Sequence, residues 1–121
     1  MNVQKVIAEL QKKYPGKPIL KNNEEHPTEI VCEIEPTSDH PGYSTAIAVI
    51  DESIPHYHRK TTEEYKILKG TLVLFLDDKE ITLNENDTYI IMPGIRHYAQ
   101  GKETWIMTMA RPGWTKEDQI F

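Results

Sequence analysis

The chain has one cysteine, Cys32, and so cannot close a disulfide on itself, which suits a reducing compartment. It has no apolar run near the roughly 18 residues that a helical membrane span requires. The opening MNVQKVIAEL lacks the continuous apolar core and small-residue cleavage site of a secretory signal. There is no basic stripe either. With 14 Lys and Arg against 19 Asp and Glu, the formal net charge is −5, so neither nucleic acid nor an anionic membrane is an expected partner. Internal repeats and low-complexity segments are also missing. These absences leave a soluble, cytoplasmic protein with a small-molecule ligand as the expectation.

At 121 residues the chain is long enough for one buried core and too short for two, so a single domain over 1–121 is expected. Val3, Val6, Ile7 and Leu10 recur at steps of three and four, predicting a short amphipathic helix within residues 1–14. Asn2 caps its start, Lys12 and Lys13 suit its C-terminal end, and Pro15-Gly16 stops it.

Beyond Pro18 the period changes to two. Glu29–Ile34 reads as a strand with Ile30, Cys32 and Ile34 on one face, and Ser44–Ile50 as another, with the loop Pro36–Gly42 between them. Gly70 punctuates a turn before Thr71–Leu76, which is apolar on both faces. Cover is expected there from the opposite sheet and from the N-terminal helix or a partner subunit, and a homodimer follows as an expectation. Asp77–Lys79 turns into Glu80–Leu83, and Asn86 suits a positive φ in the next turn. Thr88–Met92 and Thr104–Ala110 complete the strands, followed by Arg111-Pro112-Gly113-Trp114 and a polar tail ending Ile120-Phe121. Many short strands and almost no helix indicate an all-β sandwich or barrel.

The chemistry-bearing stretch is Ile54–Gly70. His56 and His58 stand two apart, so on a strand they share a face. A carboxylate follows after a turn through Lys60-Thr61-Thr62, and His97 supplies a third imidazole downstream. Glu63 and Glu64 compete for the carboxylate role. Period two puts Glu63 with Tyr65 and Ile67, and Glu64 with Lys66 and Leu68, so the more apolar face selects Glu63. Imidazoles with a carboxylate suit a divalent transition metal (Zn, Fe, Mn, Ni, Co or Cu). Three neutral imidazoles and one carboxylate sum to −1, which a dication turns to +1. About two octahedral positions then stay open for water or substrate. Tyr65, Trp105 and Arg96 are candidates to line a substrate pocket, whereas His26 and His40 read as solvated loop residues and Tyr57 should face away from the metal.

The pattern His56-x-His58-x4-Glu63-x6-Gly70 resembles the first motif of the cupins, G-x5-H-x-H-x(3 or 4)-E-x6-G, with Ile50 in place of its leading glycine. The second motif, G-x5-P-x-G-x2-H-x3-N, aligns with Asn86, Met92, Gly94, His97 and Gly101, and Pro93 falls one place late. The resemblance covers residues 45–110, and the flanks are similar to small one-domain cupins of the mannose-6-phosphate-isomerase-like kind. It implies a jelly-roll β-barrel in which His56, His58, Glu63 and His97 ligate one divalent metal. The activity it implies is a metal-dependent enzyme acting on a sugar or sugar phosphate. An Fe(II) dioxygenase and a non-catalytic binding or sensing module are the alternatives. Arg59, Lys60, Arg96 and Arg111 are the cations available to a phosphate.

Overall fold

The structure, a computed structural model, describes residues 1–121. Helix α1 (Val3–Lys13) forms where the apolar stripe predicts it. The Asn2 side chain accepts from Lys5 N at 3.2 Å, and Gly16, at φ +79°, turns the chain away after its end. Val6 and Leu10 are fully covered, each contributing about 1.5–3 kcal/mol by leaving water.

Ten strands follow: β1 (Ile19–Lys21), β2 (Glu29–Glu35), β3 (Ser44–Glu52), β4 (Tyr57–His58), β5 (Thr62–Lys69), β6 (Leu72–Leu76), β7 (Lys79–Leu83), β8 (Thr88–Ile91), β9 (His97–Arg111) and β10 (Gln119–Ile120). The main sheet runs β1-β2-β3-β9-β5-β8, with β6 also on β9 and β7 on β6. The long strand β9 organises it. Its start pairs with β6, Leu76 opposite His97, and its end pairs with β5, Ala110 opposite Glu63. Between them the register slips at Gly101–Glu103, where Glu103 takes φ +46°. That bulge bends β9 from one part of the sheet into the other. Gly101 is needed there because a Cβ would collide with the Thr104 side chain and lie 2.9 Å from the Ile50 carbonyl oxygen. The sequence pattern saw only Thr104–Ala110 of this strand, because the bulge breaks the alternation.

Alternation sorts the two cores. Ile30, Cys32, Ile47, Val49 and Trp105 pack beneath α1, while Ala48, Ile50, Tyr65, Ile67 and Ile106 face the other side. The expected helix cover over Thr71–Leu76 is not found, since α1 packs on β2, β3 and β9 instead. On β6, Leu72, Leu74 and Leu76 are buried, and Phe75 is half-covered by stacking on Tyr98 at 4.5 Å. The exposed apolar side chains of this region are Ile90, Met92 and Leu68, on and beside β8 and β5. No helix is long and apolar enough to cross a membrane.

Candidate metal centre

Four side chains expected to converge do so. His56, His58, Glu63 and His97 are buried, and their potential ligand atoms lie within 4.8 Å of one another. Backbone pairing brings them together. His56 N donates to His97 O at 3.0 Å and His97 N donates back to His56 O at 2.9 Å, so two of the imidazoles sit on one reciprocal bridge. His58 ends β4, with Gly94 N donating to its carbonyl at 2.7 Å. Glu63 is held on β5 between Ala110 of β9 and Ile91 of β8. Alternation along β5 turns Glu63 inward, 5% exposed, and puts Glu64 on the opposite face.

Glu63 Oε1 lies 3.0 Å from His58 Nε2 and 3.2 Å from His97 Nε2. These distances are short enough for ion pairs, yet all three atoms lack an aligned hydrogen-bond partner. Buried polar atoms without partners are costly and rare. A shared cation resolves the conflict, because ligands about 2.1 Å from an ion and at right angles to one another lie about 3.0 Å apart. The second ring nitrogens of His56 and His97 support the same reading, while that of His58 is buried without a partner. His56 Nδ1 is 2.7 Å from Ile54 O and His97 Nδ1 is 2.9 Å from Ile95 O. Each Nδ1–H donates to its carbonyl, which leaves the Nε2 lone pair for the metal. The residues present fit a divalent metal.

Electrostatics point the same way. Burial pushes His56 down to about 4, with His97 adding to the shift, so its ring is neutral at pH 7. Burial opposes the charged form of Glu63 as well, but His58 and His97 outweigh it and hold the carboxyl far below the usual carboxylate range. His58 is opposed by burial too, and the adjacent Glu63 carboxylate raises it. A charged carboxylate therefore faces the imidazoles; His56 is already neutral, and His58 sheds the proton that Glu63 favours when a dication takes its place.

A cavity of about 480 Å³ opens beside the quartet, lined by His56 and Glu63 together with Tyr65, Ala46, Ala48 and Thr108. The small side chains on β3 and β9 leave the space. Tyr65 lines this cavity, with its ring 6.3 Å from His97. Burial first, then the Glu63 and Glu29 carboxylates, raise its phenol well above the ordinary value. Trp105 is a correction. It points to the opposite face of β9, into the core under α1, with Lys13 Nζ 4.7 Å above its ring. An aromatic on a strand buried on both sides gives no sequence signal for which face it takes. Arg96 is exposed and does not line this cavity; with Phe75, Asp77, Tyr98 and the ligand His97 it lines a second recess on the other side of the quartet. None of Arg59, Lys60, Arg96 and Arg111 lines the main cavity, so the expected phosphate cations are not there. His40 stacks on Tyr43 at 3.7 Å, and His26 is exposed on its loop.

Two features of the site escaped the sequence. Glu29, read only as a strand residue, lines the cavity, and burial plus the charge of Glu63 raise it to about 7. It is only half-covered, because the cavity itself reaches it. Its alternation with Ile30 and Cys32 was the available signal. The C-terminal segment is the other feature. Asp118 accepts from Arg59 N, Lys60 N and Thr61 N at 3.1–3.2 Å, fastening the turn between His58 and Glu63. Next to it, Gln119 and Ile120 of β10 pair with His58 and Tyr57 of β4. What read as a polar tail is part of the frame.

The family model described as "Cupin domain" matches residues 35–109. Comparison with curated protein sequences gave no match. Solved structures share the fold. A Streptomyces PAC13 variant with uridine superposes at a TM-score of 0.74 with 11% identity, covering 88% of this chain and 84% of that one. A protein from Planctomyces limnophilus gives 0.74 with 18% identity, covering 89% and 92%. KdgF from a Halomonas species gives 0.65 with 15% identity, covering 79% and 89%. Pac13 is described as a nucleoside dehydratase.

Proposed function

The chain belongs to the cupin family, and on that premise we propose that it is a metal-dependent enzyme acting on a small polar molecule by proton transfer. His56, His58, Glu63 and His97 hold one divalent transition metal. The observation that carries this reading is the set of buried, unpartnered nitrogen and oxygen atoms aimed at a common point.

When bound, a dication at these four residues would draw electron density from a substrate carbonyl or hydroxyl oxygen, acting as a Lewis acid. The rest is work for the chain's own groups. The Ile54 and Ile95 carbonyls fix the tautomers of His56 and His97. The half-covered Glu29 carboxyl, raised above the ordinary carboxylate range by burial first and then by the Glu63 charge, is the group in the same cavity that would hold or release a proton. Tyr65 stays protonated and presents a neutral hydroxyl. A base and an acidified substrate position in one enclosed space suit isomerisation or elimination. The likeness to a nucleoside dehydratase is of fold, and it accords with a non-redox use of the same barrel.

The reading is tested with metal-loaded protein and a panel of aldoses and nucleosides in D2O, followed by NMR. Metal-dependent loss of a C–H signal or appearance of product is expected. No exchange or conversion across the panel contradicts it. Oxygen uptake on Fe(II) loading would select a dioxygenase instead, and tight binding without product would select a sensing module.

A further inference from the structure

Seven large apolar side chains are exposed on this chain. Leu68, Ile90 and Met92 stand on and beside β5 and β8, and Tyr43 is stacked on His40. The other three, Leu20, Ile54 and Phe121, all line the cavity that holds His56 and Glu63. They come from three separate places in the chain: β1, the loop before β4, and the residue after β10. A lone exposed apolar residue is ordinary, but a group of them around one concave site marks a surface that a ligand covers.

Two of the three are tied to the metal centre. The Ile54 carbonyl oxygen lies 2.7 Å from His56 Nδ1. The pairing of Gln119 and Ile120 with β4 carries Phe121 to the same imidazole, with ring centroids 6.4 Å apart. Trp114 lines the cavity too, and it is held at both ends. Its backbone N donates to Ser44 Oγ at 2.9 Å, and its indole Nε1 donates to Gln119 Oε1 at 2.6 Å. An aromatic side chain fixed in this way is a ready platform for another ring.

Charge selects little here. The carboxylates of Glu29, Glu33 and Glu35 line the cavity against Lys21, Lys116 and a metal-loaded centre of +1, so the formal charges balance. Lys21 Nζ also lies 3.6 Å from Glu24 Oε2, and Glu35 lies 3.5 Å from His40 Nε2. The exposed apolar side chains have no such counterpart in the protein.

We infer that the molecule taken by this cavity carries an aromatic ring beside its oxygen-bearing head, with the head at the quartet and the ring against Phe121, Ile54 and Trp114. This rests on the reading of the site as a metal-dependent enzyme and names the substrate class for it. A ring suits these residues better than an alkyl group does, because rings pack on rings in offset or edge-to-face contact beyond the area they bury.

The experiment uses the full chain loaded with Zn and three uncharged probes that share one chelating head: acetohydroxamic, benzohydroxamic and cyclohexanecarbohydroxamic acid. Affinities come from saturation-transfer NMR titration, with metal content and melting temperature measured on the same samples. The benzoyl probe binds about tenfold tighter than the acetyl one or better, and about threefold tighter than the cyclohexyl one. Phe121→Ala and Trp114→Leu each lower the first ratio to about threefold or less. Phe121 is exposed, so its variant decides the matter alone if Trp114→Leu fails to fold. Equal binding of the acetyl and benzoyl probes overturns the inference, as does cyclohexyl binding as tight as benzoyl or a ratio that survives Phe121→Ala. If that variant instead turns a dimer into a monomer with the ratio intact, these side chains belong to an interface between copies and the inference fails. Metal content separates the two levels of argument. Protein that takes up no metal overturns the enzyme reading. In that protein, saturation of the benzoyl ring protons without the acetyl methyl still supports the aromatic subsite, and equal saturation overturns it.

Discussion

Oε1 of Glu63 lies 3.0 Å from Nε2 of His58, and neither atom has an aligned hydrogen-bond partner although both are buried. A direct contact between an acceptor and an imidazole that is not aligned is a poor use of two desolvated groups. The pair becomes economical when a cation stands between them.

Removing either partner therefore removes metal. His58→Ala is expected to bring metal content from about one per chain toward zero while the far-ultraviolet β signal persists. Glu63→Gln keeps the volume but takes away the charge, so it should also lose metal on dialysis. Metal content by elemental analysis, with circular dichroism alongside, decides this. Full stoichiometry in His58→Ala would show that the quartet is not the ligand set.

Asp118 acts through the turn it fastens. With Asp118→Ala, three consecutive N–H groups lose their acceptor and the spacing of His58 and Glu63 is no longer enforced. Stability should fall by about 1–3 kcal/mol, and metal affinity by about 10–100-fold, as for other residues that orient ligands. Metal titration against a chelator measures the second effect. An unchanged affinity in a destabilised variant would make Asp118 a matter of folding only.

The metal-free protein should weaken in acid through His56. Its folded value, about 4, is below the ordinary 6.5. Between those values the unfolded chain takes a proton that the folded chain refuses, so stability falls with pH over that window and levels off beneath it. The full effect is up to about 3 kcal/mol. His58 has the opposite sign: its raised value favours the folded state at low pH, and that contribution is lost as pH rises through it. Denaturant melts of metal-free wild type and His56→Gln, at several pH values from 7.5 to about 4, isolate the first effect. The variant should gain on wild type as pH falls. A difference that stays constant with pH contradicts the assignment.

Gly101→Ala should damage the bend in β9. The added Cβ meets the Thr104 side chain and the Ile50 carbonyl oxygen in a place with no room to give. Overpacking of this kind costs about 1–3 kcal/mol, read as a lower melting temperature. Wild-type stability in the variant would mean that the bulge relaxes freely.

The ligand quartet was legible in the sequence because its signal is local. His56-x-His58 and the step to Glu63 are fixed by strand and turn geometry, and period two chose Glu63 over Glu64. Asn86, at φ +72°, and the cap by Asn2 are local features too, and both stand where the pattern put them. What was lost is non-local. Trp105 was misplaced because a strand covered on both faces does not reveal which core an aromatic enters. The role of Glu29 depends on empty space made by Ala46 and Ala48 on another strand. Asp118 works across nearly sixty residues of sequence, and nothing in its neighbourhood announces the turn it holds.

Anomalous diffraction at the absorption edge of whichever metal accompanies the purified protein is the most direct measurement. One peak should appear about 2.0–2.2 Å from Nε2 of His56, His58 and His97 and from an oxygen of Glu63. Density elsewhere, or no peak in protein loaded with each candidate metal, would contradict the account.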